Sequence, residues 1–161
     1  MTRRPTIVLG MAGGALWALA VVWGGQKMVG GFIPANVALL TAFFVPGLVM
    51  LAMIGRLAQR RFFDDSIIDG QDFAPGSPAW IDQKVLANTT EQVVLALAIW
   101  PFVATTLGGF VVLAMGVAFG IARLLFWIGY HVSPPMRGFG FAATFYPTVL
   151  AAFWSAASWL L

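Results

Sequence analysis

Two short stretches of this chain concentrate groups able to do chemistry: KVLANTTEQ, residues 84–92, and RLLFWIGYHVSPPMRGFGF, residues 123–141. On a helix, Lys84, Asn88 and Glu91 fall within about 60° of one another, so a cation, an amide and a carboxylate line one stripe. Arg123, Phe126 and Tyr130, at i, i+3 and i+7, share another face, and Arg137 follows beyond a Pro-Pro pair. Polar and charged groups inside apolar runs cost free energy in hydrocarbon, which makes these residues candidates for a site. The chain has no cysteine, so any thiol chemistry must use a borrowed thiol.

These residues are set in an apolar background. Of 161 residues 60% are hydrophobic and 9% charged, and the mean hydropathy is +0.89, which leaves too little polar surface to cover a soluble globule. The sequence is that of an all-α integral membrane protein. A net charge of +3 and a pI near 10.0 raise the question of nucleic acid. The nine basic residues stand singly or in pairs beside apolar runs, however, which is the pattern of membrane anchoring, and no nucleic-acid partner is expected.

Five apolar runs, at roughly 6–25, 33–55, 85–107, 110–130 and 139–160, each approach the ~20 residues needed to cross the hydrocarbon core. The breaks fall at the glycines around Lys27, in a polar segment from Gln59 to Gln83, at Gly108-Gly109 and at Ser133-Pro134-Pro135. The spacings Gly10/Gly14 and Gly116/Gly120 suggest close helix contact. Arg3, Arg4, Arg56, Arg60, Arg61, Lys84 and Arg137 flank alternate ends of the runs, with Lys27 alone on the other side. The N-terminus, the 59–83 segment and the Pro-Pro loop are therefore expected in the cytoplasm and the C-terminus outside. The first run continues through Trp23, past the cleavage-like Ala18-Leu19-Ala20, and is read as a retained helix rather than a signal peptide.

A charge within a span requires a partner. Glu91 stands about 13 Å along a helix starting near Asp82, and Arg123 stands about as far from the Pro-Pro turn that ends its own helix. The two are expected to meet at equal depth as a buried ion pair. Whether such a pair serves a ligand or only fixes helix packing is open at this level.

The stretches KVLANTTEQ and ARLLFWIGYHVSPPMRGFGF together resemble the MAPEG family, the membrane-associated proteins of eicosanoid and glutathione metabolism, over about residues 33–160. The family's pattern is a basic residue, Asn at the fourth place, Glu three further on, then Arg, an aromatic, Gly-Tyr and a later Arg. It falls on Lys84, Asn88, Glu91, Arg123, Phe126, Gly129-Tyr130 and Arg137, while its Arg-Arg pair closing the first helix falls on Arg60-Arg61. The resemblance, to a bacterial-type member similar to microsomal glutathione transferases, implies a four-helix domain at 33–161. Residues 1–32 then form an extra N-terminal helix and loop.

The resemblance further implies a homotrimer in a bacterial inner membrane, with glutathione as cosubstrate between subunits at the cytoplasmic side. Arg60, Arg61 and Lys84 would receive its carboxylates and Asn88 its peptide groups, Glu91 would bind its ammonium or hold Arg123, and Arg123, Phe126 and Tyr130 would complete the site. Arg137 would activate the thiolate, Tyr130 would donate to the sulfur, and a lipophilic electrophile would enter from the lipid. Phe126 and Gln92 stand where eicosanoid synthases carry tyrosines, and Lys84 replaces an arginine's planar fork, so an eicosanoid synthase is not expected. The alternative is a catalytically silent trimer whose polar cleft serves packing or lipid binding.

Other residues carry quieter readings. His131 has no second histidine or nearby carboxylate motif and is read as an interfacial loop histidine, with no metal site. Asn88-Thr89-Thr90 is read as a chance glycosylation sequon, and Asp64, Asp65, Asp69 and Asp72 as a solvated acidic loop.

Overall fold

The five apolar runs become five helices in the computed structural model, which describes residues 3–28 and 30–161: α1 (Arg3–Lys27), α2 (Ala35–Phe62), α3 (Pro78–Thr106), α4 (Gly109–Val132) and α5 (Pro134–Leu160). The side chains of Arg3 and Arg4, on which part of the expected topology rests, lie outside the description. With 24 to 29 residues each, the helices are long and apolar enough to span a bilayer, and the protein is multi-pass. No strand occurs among the described residues.

Two helices begin earlier than the apolar runs suggest. α3 starts at Pro78, one turn before Asp82, because the Ser77 hydroxyl caps it by accepting from the Trp80 amide and Pro78 occupies the first turn. α5 starts at Pro134, since two prolines without N–H groups suit positions whose N–H would be unpaired anyway. The expected Pro-Pro loop thus shrinks to Ser133, and Arg137 lies in the first turn of α5.

α4 packs against each of the other four helices, whereas α1 touches α4 and α5 alone among the described residues. The core is tied by Trp100 on α3, which stacks on Phe43 of α2 with centroids 5.2 Å apart. The same indole meets Phe119 of α4 edge-on and donates to the Thr148 hydroxyl of α5 at 3.1 Å. The two expected small-residue contacts form: Gly10 and Gly14 seat α1 on α5, and Gly116 lies against the α2 backbone at Ala42.

Arg56, Arg60, Arg61, Lys84 and Arg137 gather at one end of the bundle, and Lys27 stands at the other, where neighbouring Gln26 bonds Leu107. The connection between α2 and α3, residues 63–77, is folded around Arg61. Its Nη1 donates to the carbonyls of Ile67 (2.9 Å) and Gln71 (3.1 Å), and its guanidinium lies 4.2 Å from the centre of the Phe73 ring. Exposed Asp64 accepts from both the amide and the hydroxyl of Ser66, which holds its carboxyl below the usual carboxylate range.

Candidate functional site

Arg123 is the centre of a polar network inside the apolar bundle. It is fully buried, and its three nitrogens each find a neutral acceptor. Nε donates to the Thr144 hydroxyl at 2.9 Å, Nη1 to the Asn88 amide oxygen at 2.9 Å and Nη2 to the Gly140 carbonyl at 3.4 Å. The Thr144 hydroxyl in turn donates a hydrogen bond to that carbonyl at 2.8 Å. Phe126 covers the guanidinium with its ring centre 4.2 Å away, a favourable contact for a desolvated cation.

The expected Glu91–Arg123 ion pair does not form. Glu91 is exposed and accepts from the Asn88 side-chain nitrogen at 3.0 Å, so the two charges are linked only through that amide. The reason is the early start of α3. Asn88, ten residues into α3, matches Arg123, nine residues before the end of α4, whereas Glu91 lies almost a turn deeper and faces outward.

The network continues toward the basic end. Phe126 meets Tyr130 edge-on at 5.0 Å, and the Arg137 guanidinium lies 4.9 Å from the centre of the Tyr130 ring. Two glycines permit this approach. A Cβ on Gly129 would strike the Arg137 backbone, and one on Gly140 would come within 2.5 Å of the Phe126 backbone nitrogen. The Arg137 side chain makes no hydrogen bond or ion pair among the described residues, while its backbone amide donates to the Ser133 carbonyl at 3.0 Å. It shares the N-terminus of a 27-residue helix, whose positive dipole end adds to its charge.

The other expected site residues are placed apart within the chain. Lys84 lies a turn from Asn88 with its ammonium 4.3 Å from the centre of the Trp80 ring. Arg61 is spent on the 63–77 connection. Arg60 belongs to a second cluster around Asp82, a carboxylate only 2% exposed. Asp82 accepts from Arg60 Nε at 2.6 Å, Trp127 Nε1 at 2.7 Å and His131 Nε2 at 2.8 Å, joining the ends of α2, α3 and α4.

His131 is therefore the last-turn residue of α4 bound to a carboxylate, not a loop histidine. The signal missed was Trp127 and His131 at i and i+4, facing an acid that the early helix start carries into α3. Thr144 and Gly140 were also missed, because neither type marks a site by itself. No cluster of metal-ligand residues occurs among the described residues.

The model of the MAPEG family matches residues 35–157, from the first residue of α2 to near the end of α5. The chain belongs to the MAPEG family, and α1 lies outside the match. Searches among curated proteins and solved structures returned no match.

Proposed function

We propose that this protein is a glutathione-dependent transferase or peroxidase acting on lipophilic electrophiles, working as a homotrimer with its basic end in the cytoplasm. The observation that carries this reading is the placement of Arg137 over Tyr130 at the α5 N-terminus, with its guanidinium donors unspent among the described residues. A thiol of pKa about 8.5 is mostly protonated at neutral pH. A fixed cation and a helix N-terminus favour its thiolate, and the Tyr130 hydroxyl can donate to the same sulfur. The proton passes to solvent at the membrane surface. The thiolate then attacks the electrophile, forming the bond to sulfur as the leaving group departs with its electron pair.

Membership in a family of glutathione metabolism supports glutathione as the thiol, with Lys84 and Glu91 suited to its carboxylate and ammonium ends. The exposed carboxylate of Glu91, flanked on α3 by apolar Val94 and Leu97, fits burial against another subunit better than exposure to lipid. Arg60 and Arg61, whose donors are partly committed within the subunit, are assigned a secondary part in carboxylate binding.

One observation favours the silent reading for part of the network. Each nitrogen of Arg123 makes one hydrogen bond within the chain, one of them to Asn88, so we assign the two residues to positioning Phe126 and Tyr130 rather than to touching the cosubstrate. The test is thermal stabilisation of the purified protein by glutathione and by an S-methylated analogue, together with thiol conjugation and peroxide reduction on a panel of lipophilic electrophiles. Stabilisation with turnover supports the enzyme. Neither effect would leave a silent membrane protein.

A further inference from the structure

The membrane face of α4 carries Val117, Ile121, Leu124 and Ile128 at i, i+4, i+7 and i+11, four partly exposed apolar side chains on one stripe about 16 Å long. At one end α1 walls this stripe into a groove of about 440 Å³, where Trp17, Val21 and Met28 face Leu113, Val117 and Ile121. At the other end the stripe runs into a cleft of about 340 Å³ lined by Arg56, Arg60, Asp82, Trp127, Ile128 and His131. Leu124 bridges the two, one helical turn from each.

The charged end is built rather than incidental. Buried Asp82 accepts from Nε of Arg60, Nε1 of Trp127 and Nε2 of His131, so it fixes all three side chains while the terminal guanidinium nitrogens of Arg60 find no partner among the described residues. Arg56 contributes a second guanidinium, with one nitrogen on Gln59 at 2.6 Å. One carboxylate against two guanidiniums leaves the cleft net positive. Asp64, on the connection side of the same arginines, has one oxygen engaged by Ser66.

We infer that this groove binds an anionic phospholipid of the surrounding bilayer, with the headgroup phosphate on Arg56 and the free face of Arg60 and an acyl chain along Ile128, Leu124 and Ile121. Charge at one end, an apolar path through the hydrocarbon depth and an indole at the interface match one amphipathic anion. α1, outside the family match, supplies the outer wall, so the extra helix makes a lipid groove of what would otherwise be open helix surface. The inference shares Arg60 with the proposed cosubstrate site, where its part is secondary, whereas Arg56, Trp127, Ile128 and Leu124 have no part in the thiol chemistry, so variants at Arg56 and Leu124 test it separately.

The test is native mass spectrometry and thermal unfolding of the full chain with phosphatidylglycerol, with phosphatidylcholine of the same acyl chains, and with inorganic phosphate alone. Phosphatidylglycerol is expected to remain bound and raise the Tm where phosphatidylcholine does not. Arg56→Gln, an exposed position whose loss leaves the Asp82 cluster intact, is expected to weaken that binding about fivefold, the worth of one basic residue at a membrane surface. Leu124→Trp, which places an indole in the acyl path, is expected to weaken it while leaving any effect of phosphate unchanged.

Equal binding of the two lipids, or undiminished binding by Arg56→Gln, overturns the inference. So does equal stabilisation by phosphate alone, which would make this a free-anion site. A change in subunit number with Arg56→Gln would overturn it as well, since a second copy would then cover the groove.

Discussion

The Asn88 amide oxygen receives a hydrogen bond from Arg123 across 2.9 Å, while its nitrogen donates to Glu91 at 3.0 Å. One neutral amide therefore holds apart two opposite charges that spacing alone would have paired. The arrangement keeps Arg123 in a cage of neutral acceptors and leaves the Glu91 carboxylate exposed.

Asn88→Ala is expected to destabilise the fold by about 1–3 kcal/mol, because it leaves a donor of a buried guanidinium without its acceptor. Glu91→Gln keeps an oxygen for the Asn88 amide and is expected to change subunit stability by less than about 0.5 kcal/mol. Unfolding in detergent measures both. If Glu91→Gln were the more damaging of the two, the central place given to Asn88 would be wrong.

Asp82→Asn should cost more than Trp127→Phe. The first sets an amide N–H against at least one of three donors, a loss of about 1–3 kcal/mol, whereas the second removes a single hydrogen bond, about 0.5–1.5 kcal/mol. Because Asp82 ties α2 to α4, hydrogen exchange in Asp82→Asn should rise at the ends of both helices. Faster exchange confined to α3 would contradict the tie.

Gly129→Ala is expected to push the first turn of α5 away from α4, since the added methyl meets the Arg137 backbone with no flexible side chain to give way. The expected penalty is about 1–3 kcal/mol, with loss of the Arg137–Tyr130 contact. An unperturbed Tyr130 environment in the variant, seen by NMR, would show that the two helices can separate without moving the site.

The limits of reading this molecule from its sequence follow from particular residues. The five spans were legible because hydrocarbon demands about 20 apolar residues and Gly, Pro and a polar connection separate them. The motif residues of α4 and α5 were legible by type and spacing. Their partners were not, because a one-turn error in where α3 begins exchanges Asn88 for Glu91 opposite Arg123. That error arose at Ser77 and Pro78, a cap and an N1 proline lying outside the apolar run. The same shift hid Asp82, which lies in the interior of α3 beside Trp127 and His131 rather than at its start.

The prediction on which function turns concerns Arg137. If it stabilises the thiolate, Arg137→Ala should lower kcat by tenfold or more while glutathione still raises the Tm, because a cation beside the sulfur acts on the form that reacts rather than on the whole cosubstrate. Its removal should also leave the fold intact, since its side chain makes no hydrogen bond or ion pair among the described residues and its ring contact is with Tyr130. Lys84→Ala should behave oppositely, with a raised KM for glutathione and a smaller change in kcat, as expected for a group binding a part of the cosubstrate remote from the sulfur. Arg137→Lys separates two roles for the guanidinium. A point charge near the same place keeps part of the rate if the field at the sulfur is what matters, and keeps little if the planar fork is needed to hold a carboxylate. Thiolate absorbance of the bound cosubstrate provides the readout that a purely structural role would not move: it should fall in Arg137→Ala and persist in Lys84→Ala at saturating glutathione. Equal loss of binding in both variants, with no change in thiolate at saturation, would assign Arg137 to carboxylate recognition and leave the activation of sulfur to the α5 N-terminus and Tyr130.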